Sequence, residues 1–124
     1  MKIIKLDKIT IGILPKVIRI QKAYEILDYF ASLRYTEDTD NVGMIIYKES
    51  LGHQFFDLKT RFAGDLLQKF SNYNMSLVIA GDFTEYTNNS KSLRDFIREC
   101  NRGKLIFFLP SIEDGIQKYK DVSA

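Results

Sequence analysis

The chain has little of the chemistry that marks many enzymes at sight. It holds one cysteine and one histidine in 124 residues. A single cysteine excludes an internal disulfide, and no Cys/His set at zinc spacing is present. There is no nucleophile motif, no phosphate-cradling glycine loop and no paired-histidine metal motif. No apolar run approaches the roughly eighteen residues that a membrane span needs. The opening stretch carries Lys2 and Lys5 but is broken by Asp7 and Lys8. It has neither an unbroken apolar centre nor a small-residue cleavage site, so it does not read as a signal peptide. Charge of one sign is also lacking: the net charge is +2, with both signs mixed along the chain. That argues against a protein whose main work is gripping phosphate backbones. No internal repeat or low-complexity segment occurs. The expectation is a cytoplasmic protein of one domain spanning residues 1–124, with neither membrane nor nucleic acid as partner. Its 45% hydrophobic content is enough for a real core.

The patterns that are present alternate between two periods. Ile3–Leu6 and Ile9–Leu14 are short β-rich runs, and Asp7-Lys8 between them predicts a hairpin. Gly12 inside the second run marks a bulge or a close backbone approach, and Pro15 ends the strand. Ile20, Ala23, Tyr24, Leu27, Phe30 and Ala31 fall at helical spacing, which predicts about four turns with one buried face. Arg34 and the acidic run from Thr36 to Asp40 then end that helix in a solvated loop. Gly43–Tyr47 is an apolar run of strand length, suited to burial on both faces. Lys48 to Gln54 reads as a polar turn with a bend at Gly52.

The stretch from Phe55 to Phe70, FFDLKTRFAGDLLQKF, organises the rest. Phe55 and Phe56 bring the chain back to the core. Asp57 is placed to cap a helix. Leu58, Phe62, Leu66 and Phe70 recur every four residues down one face. Gly64 within the helix costs about 1 kcal/mol relative to Ala, which predicts close packing there as compensation. Ser76–Ala80 is a further buried strand, with Gly81-Asp82-Phe83 at its end. Thr84 to Lys91 is polar and aperiodic and reads as a loop. Ser92-Leu93-Arg94-Asp95 reads as a capping box opening a helix. Leu93, Phe96, Ile97 and Cys100 supply its apolar stripe, and Gly103 suits a left-handed cap. Leu105–Leu109 is the last strand. Ser111 caps a final helix with Ile112, Ile116 and Tyr119, and the tail from Asp121 to Ala124 is expected to fray. The order is β-β-α-β-α-β-α-β-α. It predicts an α/β fold: a mixed, mostly parallel five-stranded sheet with helices packed on it.

This order of elements resembles the sulfate transporter and anti-sigma factor antagonist (STAS) domain over nearly the whole chain. In that family an acid followed by a serine lies between the third strand and the second helix and acts as a phosphorylation switch. Asp57 matches the acid. Leu58 stands where the serine would be, and Thr60, the nearest hydroxyl, is out of register. More specifically, FFDLKTRFAGDLLQKF, GDF and SLRDFIRECNRG resemble a bacterial domain of unknown function, the family numbered 4180. That resemblance supports the fold and implies no activity.

In open parallel sheets, ligands bind beyond the carboxyl ends of the strands. After the third strand the chain offers Lys48, Glu49, His53, Asp57 and Thr60, and after the fourth it offers Asp82. The helix start at Ser92 falls on the same side. These residues form the expected ligand or partner surface, set against the plainer reading of Asp57 and Ser92 as caps and Asp82 as a turn acid. Asp57 with Asp82 could hold a hard cation, but two acids alone are a weak signal. His53 has no orienting partner visible in the sequence. Cys100 reads as a small core residue, and Arg94, Arg98 and Arg102 as a charge-laced solvent face alongside Asp95 and Glu99. No catalytic residue, metal ligand or cofactor is assigned. The function expected is a non-enzymatic regulatory or protein-interaction module with a protein partner. The alternative is a small-ligand or metal-binding domain, or a minimal enzyme using the acids at the strand ends. The apolar edge of the N-terminal hairpin is a candidate surface for a homodimer.

Overall fold

Five strands form one sheet in the order β1-β2-β3-β4-β5: β1 (Lys2–Lys5), β2 (Thr10–Ile13), β3 (Val42–Tyr47), β4 (Leu77–Ala80) and β5 (Ile106–Leu109). The computed structural model describes residues 1–73 and 75–122. β1 and β2 are the expected antiparallel hairpin, with Ile3 opposite Gly12 and Lys5 opposite Thr10. The other pairings are parallel. Each strand lies beside its predecessor, so right-handed crossovers all fall on one face. The crossover helices α1 (Ala23–Glu37), α3 (Phe62–Tyr73) and α5 (Lys91–Arg102) bury their apolar residues there in one cluster with the sheet. Phe30 of α1 meets Phe70 of α3 edge to face at 5.2 Å. The last helix, α6 (Ile112–Val122), covers the opposite face.

Three close fits fix the layers. Tyr119 of α6 is buried, and its hydroxyl reaches between strands: it accepts from Met44 N–H at 3.1 Å, donates to Met44 O at 3.2 Å and lies 3.3 Å from Ser76 Oγ. The ring fits only because residue 43 is glycine, since a Cβ there would stand 2.5 Å from the ring. On β5, the Asn101 side chain bonds both backbone groups of Phe108, accepting at 2.7 Å and donating at 3.1 Å. Those groups point away from β4, because Leu105 O and Leu109 O are the ones bonded to the β4 side. The hairpin register at Gly12 is regular, so it is not a bulge; a Cβ there would run into the side chains of Met1 and Leu33.

The helices differ from the sequence expectation in instructive ways. α1 starts at Ala23 and runs on to Glu37, ending at Asp38 in a left-handed conformation (φ 51°) whose N–H bonds Arg34 O. Its buried face is Ala23, Ile26, Phe30 and Leu33, whereas Tyr24 and Ala31 turn outward and Leu27 is half-buried. Two apolar stripes share this helix, and periodicity alone cannot choose between them. Ile20 lies before the helix, buried, in an isolated bridge with Leu51. The expected turn before Phe55 contains a 3-10 turn, Lys48–Ser50, and a short helix α2 (His53–Phe56). Asp57 is a cap as expected, but of a short 3-10 helix and not of α3. A 3-10 turn spans Leu58–Thr60, Arg61 takes φ 64°, and α3 begins at Phe62. Gly64 is exposed, and a Cβ there would meet nothing within 4 Å, so the close packing expected of it is absent. Thr84–Asn89 is helix α4, not loop. Ser90, not Ser92, caps α5, accepting from Leu93 N–H at 3.1 Å. Gly103 follows α5 at φ −90°, outside the left-handed region, and its N–H bonds Cys100 O. Ser111 caps α6 as expected, accepting from Asp114 N–H at 3.1 Å. Asp121 and Val122 remain helical, and positions 123 and 124 lie outside the described residues.

Candidate functional site

Beyond the carboxyl ends of β3 and β4, the chain leaves a groove of about 510 Å³. One wall is the segment from His53 to Lys59, and the other is α4 with the start of α5. Its floor is apolar. Phe56 and Leu93 are buried, and Leu58 is half-buried. The Tyr86 ring stacks on Phe56 with centroids 4.1 Å apart and planes 12° from parallel. Aromatic pairs of this kind add roughly 0.5–1.5 kcal/mol beyond area burial, so this stack ties the two walls together.

Each polar residue on the rim has a local reason for its position. The Asp57 carboxylate accepts from Lys59 N–H at 3.1 Å and holds the 3-10 turn. Thr60 locks the same turn: its hydroxyl lies 2.6 Å from Gln54 O and 2.8 Å from Asp57 O and accepts from Phe62 N–H at 3.3 Å. His53 Nδ1 lies 2.8 Å from the Tyr86 hydroxyl. Burial, and secondarily the nearby Glu85 charge, raises the Tyr86 phenol above its ordinary value. Tyr86 therefore keeps its proton at neutral pH, and it can donate to a neutral imidazole or accept from a charged one.

The structure divides the seven residues expected at the surface. His53, Asp57 and Ser92 line this one groove. Thr60 lines a separate hollow with Tyr24, Gln54 and Lys69. Glu49 faces Lys16 across 3.9 Å on the exposed surface. Asp82 accepts from the Thr84 hydroxyl at 2.5 Å and the Thr84 N–H at 2.9 Å, and these two bonds, together with Lys48 nearby, hold its carboxyl below the ordinary range. Lys48 Nζ donates to Asp82 O at 2.7 Å. Asp57 and Asp82 are thus each committed to their own turns. Among the described residues, no group of three or more His, Cys, Asp or Glu side chains could hold a metal ion.

Sequence reasoning missed Tyr86, Glu85 and Ser90, all groove residues. A signal was there. Asp82 precedes Thr84-Glu85, an N-terminal helix pattern, and Phe83 and Tyr86 stand three apart on the inner side. On α5, Arg98 pairs with Asp95 at 3.9 Å and Arg102 with Glu99 at 3.5 Å, the charge-laced face expected. Cys100 is buried, and burial, then Glu99, pushes its thiol up to about 11.

A five-stranded, mostly parallel sheet with three crossover helices on one face and a C-terminal helix on the other is a STAS-like fold. A chain of the stressosome, a signal integration and transduction hub, is similar at a TM-score of 0.54 and 13% identity, over 98% of this chain and 97% of that one. At that identity the likeness is one of fold. The chain belongs to the family described as Domain of unknown function (DUF4180), whose model matches residues 7–119. No curated protein matches it in sequence. No helix among the described residues is long and apolar enough to cross a membrane.

Proposed function

We propose that this protein is a non-enzymatic regulatory module that captures a segment of a protein partner in the groove between the His53–Lys59 wall and α4–α5. The observation that carries this reading is the groove itself. It has an apolar floor of Phe56, Leu58 and Leu93, and on its rim Asp57 and Ser90 are engaged in capping their own turns. Such a floor recognises apolar or aromatic side chains, and a mixed-sign rim of His53, Asp57, Lys59 and Glu85 gives register rather than bulk charge attraction. The fold is also that of a chain found in a signalling hub. The partner is a protein segment carrying at least one bulky apolar side chain, met in the cytoplasm.

The test is selection of displayed peptides on the immobilised domain. Peptides retained by the wild type should be lost on Leu58→Asp and on Tyr86→Ala, with circular dichroism showing both variants folded. Retained peptides indifferent to both substitutions would place the partner surface elsewhere.

One observation favours a second reading. The His53–Tyr86 contact lines a groove whose volume lies in the range of small-ligand sites, about 300–1,000 Å³. A ligand at one hundred times its Kd would add about 2.7 kcal/mol of stability. A melting-temperature rise with a cation, nucleotide or phosphorylated metabolite, removed by Asp57→Ala or His53→Ala, would favour this reading over peptide capture.

A further inference from the structure

The outward stripe of α1 is a surface of a different kind. Tyr35 is 90% exposed, Tyr24 54% and, on the neighbouring α3, Tyr73 60%. Beside them lies a hollow of about 250 Å³ lined by Leu27, Asp28, Ala31, Arg34, Tyr73 and Met75. One face therefore carries both a projecting aromatic and an apolar hollow.

The residues on this stripe are arranged symmetrically about Ala31. Asp28 stands three before it and Arg34 three after; Leu27 stands four before and Tyr35 four after. These are the helix-surface neighbours of Ala31. When two copies of a helix pack antiparallel on a two-fold axis, positions equally far before and after the axis face one another. With the axis at Ala31, Asp28 of one copy faces Arg34 of the other, and Tyr35 faces Leu27 and the hollow beside it. The small Ala31 side chain lets the two helices approach. The charges are free to pair: among the described residues neither Asp28 nor Arg34 forms an ion pair, and Arg34 Nε is buried with no hydrogen-bond partner.

We infer that a second copy of this chain docks here, forming a two-fold dimer through antiparallel α1 helices crossing at Ala31. The surface is self-complementary in charge and in shape, which an unrelated partner would not require. α1 is about 22 Å long at 1.5 Å per residue, so the interface lies near the small end of specific ones, and the dimer is weak and concentration-dependent. It leaves the α4–α5 groove of each copy open.

Sedimentation equilibrium on the full chain, from micromolar to near-millimolar, tests this. The wild type should pass from monomer to dimer over that range. Ala31→Arg, at an exposed position, should weaken the dimer by about tenfold or more, because it sets two cations at the axis. Asp28→Arg and Arg34→Asp should each weaken it by placing like charges face to face, and the double charge swap should restore it to within about threefold of the wild type. Restoration separates loss of pairing from loss of folding. A chain that stays monomeric throughout, a dimer insensitive to Ala31→Arg, or a double swap no better than its single variants would overturn the inference.

Discussion

Gly43→Ala should be among the most damaging one-carbon changes this chain can suffer. The added Cβ would stand 2.5 Å from Cε1 and Cζ of Tyr119 and 2.8 Å from its oxygen. The ring is buried, so it can yield only by lifting α6 from the sheet. Overpacking of this kind costs about 1–3 kcal/mol. Displacing the hydroxyl also loosens its bonds to Met44 and Ser76, at about 0.5–1.5 kcal/mol each. Because the contacts share one strain, the total expected is about 2–4 kcal/mol rather than the full sum. That is a large part of the roughly 5–15 kcal/mol that holds a domain together. Urea unfolding followed by far-ultraviolet circular dichroism would show the midpoint falling by about 1–2 M, at a slope of about 2 kcal/mol per molar. In a Tyr119→Ala background the ring is gone, and Gly43→Ala should cost little. A cost below about 0.5 kcal/mol in the wild type, or an equal cost in both backgrounds, would refute the reasoning. The same tyrosine sets an alkaline limit. Burial raises its phenol from near 10 to about 12, outweighing the bonds that lower it. A folded-state value above the unfolded one favours the protonated, folded form. That contribution is complete below pH 10 and is lost as pH rises towards 12. Between those values the stability of Tyr119→Phe should fall less steeply than that of the wild type.

Three further outcomes rest on the local geometry. Gly64→Ala should stabilise the domain by about 0.4–1 kcal/mol, because the exposed mid-helix position has nothing within 4 Å of the new Cβ; thermal unfolding would show it, and a loss would mean a contact exists there. Ser90→Ala should cost about 1 kcal/mol while Ser92→Ala costs only a few tenths, because Ser90 supplies the α5 cap; the reverse order would move the helix start. Cys100, buried with its thiol pushed up to about 11, should react with a thiol reagent at pH 8 only as fast as the domain unfolds; rapid labelling of the native protein would contradict its burial.

The sheet was legible because its strands are apolar runs bounded by breakers. Gly43–Tyr47 and Ser76–Ala80 name their own limits to within a residue or so. The strand order was also within reach, since alternating elements with right-handed crossovers leave few arrangements. What was hidden depends on contacts between elements. α1 carries two apolar stripes, and only its seating on β3 and α3 decides that Ile26 and Leu33 go in while Tyr24 and Ala31 stay out. The start of α3 moved from Asp57 to Phe62 because the Thr60 hydroxyl closes a 3-10 turn onto Gln54 O and Asp57 O, a bond with no pattern in the sequence. The candidate groove was half visible. His53, Asp57 and Ser92 stand out by their positions beyond the carboxyl ends of the strands, but the wall opposite them is α4, which buries no residue fully and meets that segment through Tyr86 alone among its aromatic contacts.

The Asn101 amide on the edge of β5 bears on how the sheet can aggregate. A side-chain amide carries the same donor and acceptor as a peptide group, so Phe108 is already answered as if a sixth strand lay beside it. A strand adding along β5 would have to displace that amide to reach Phe108, so one asparagine on a helix guards the middle of the sheet border farthest from the hairpin.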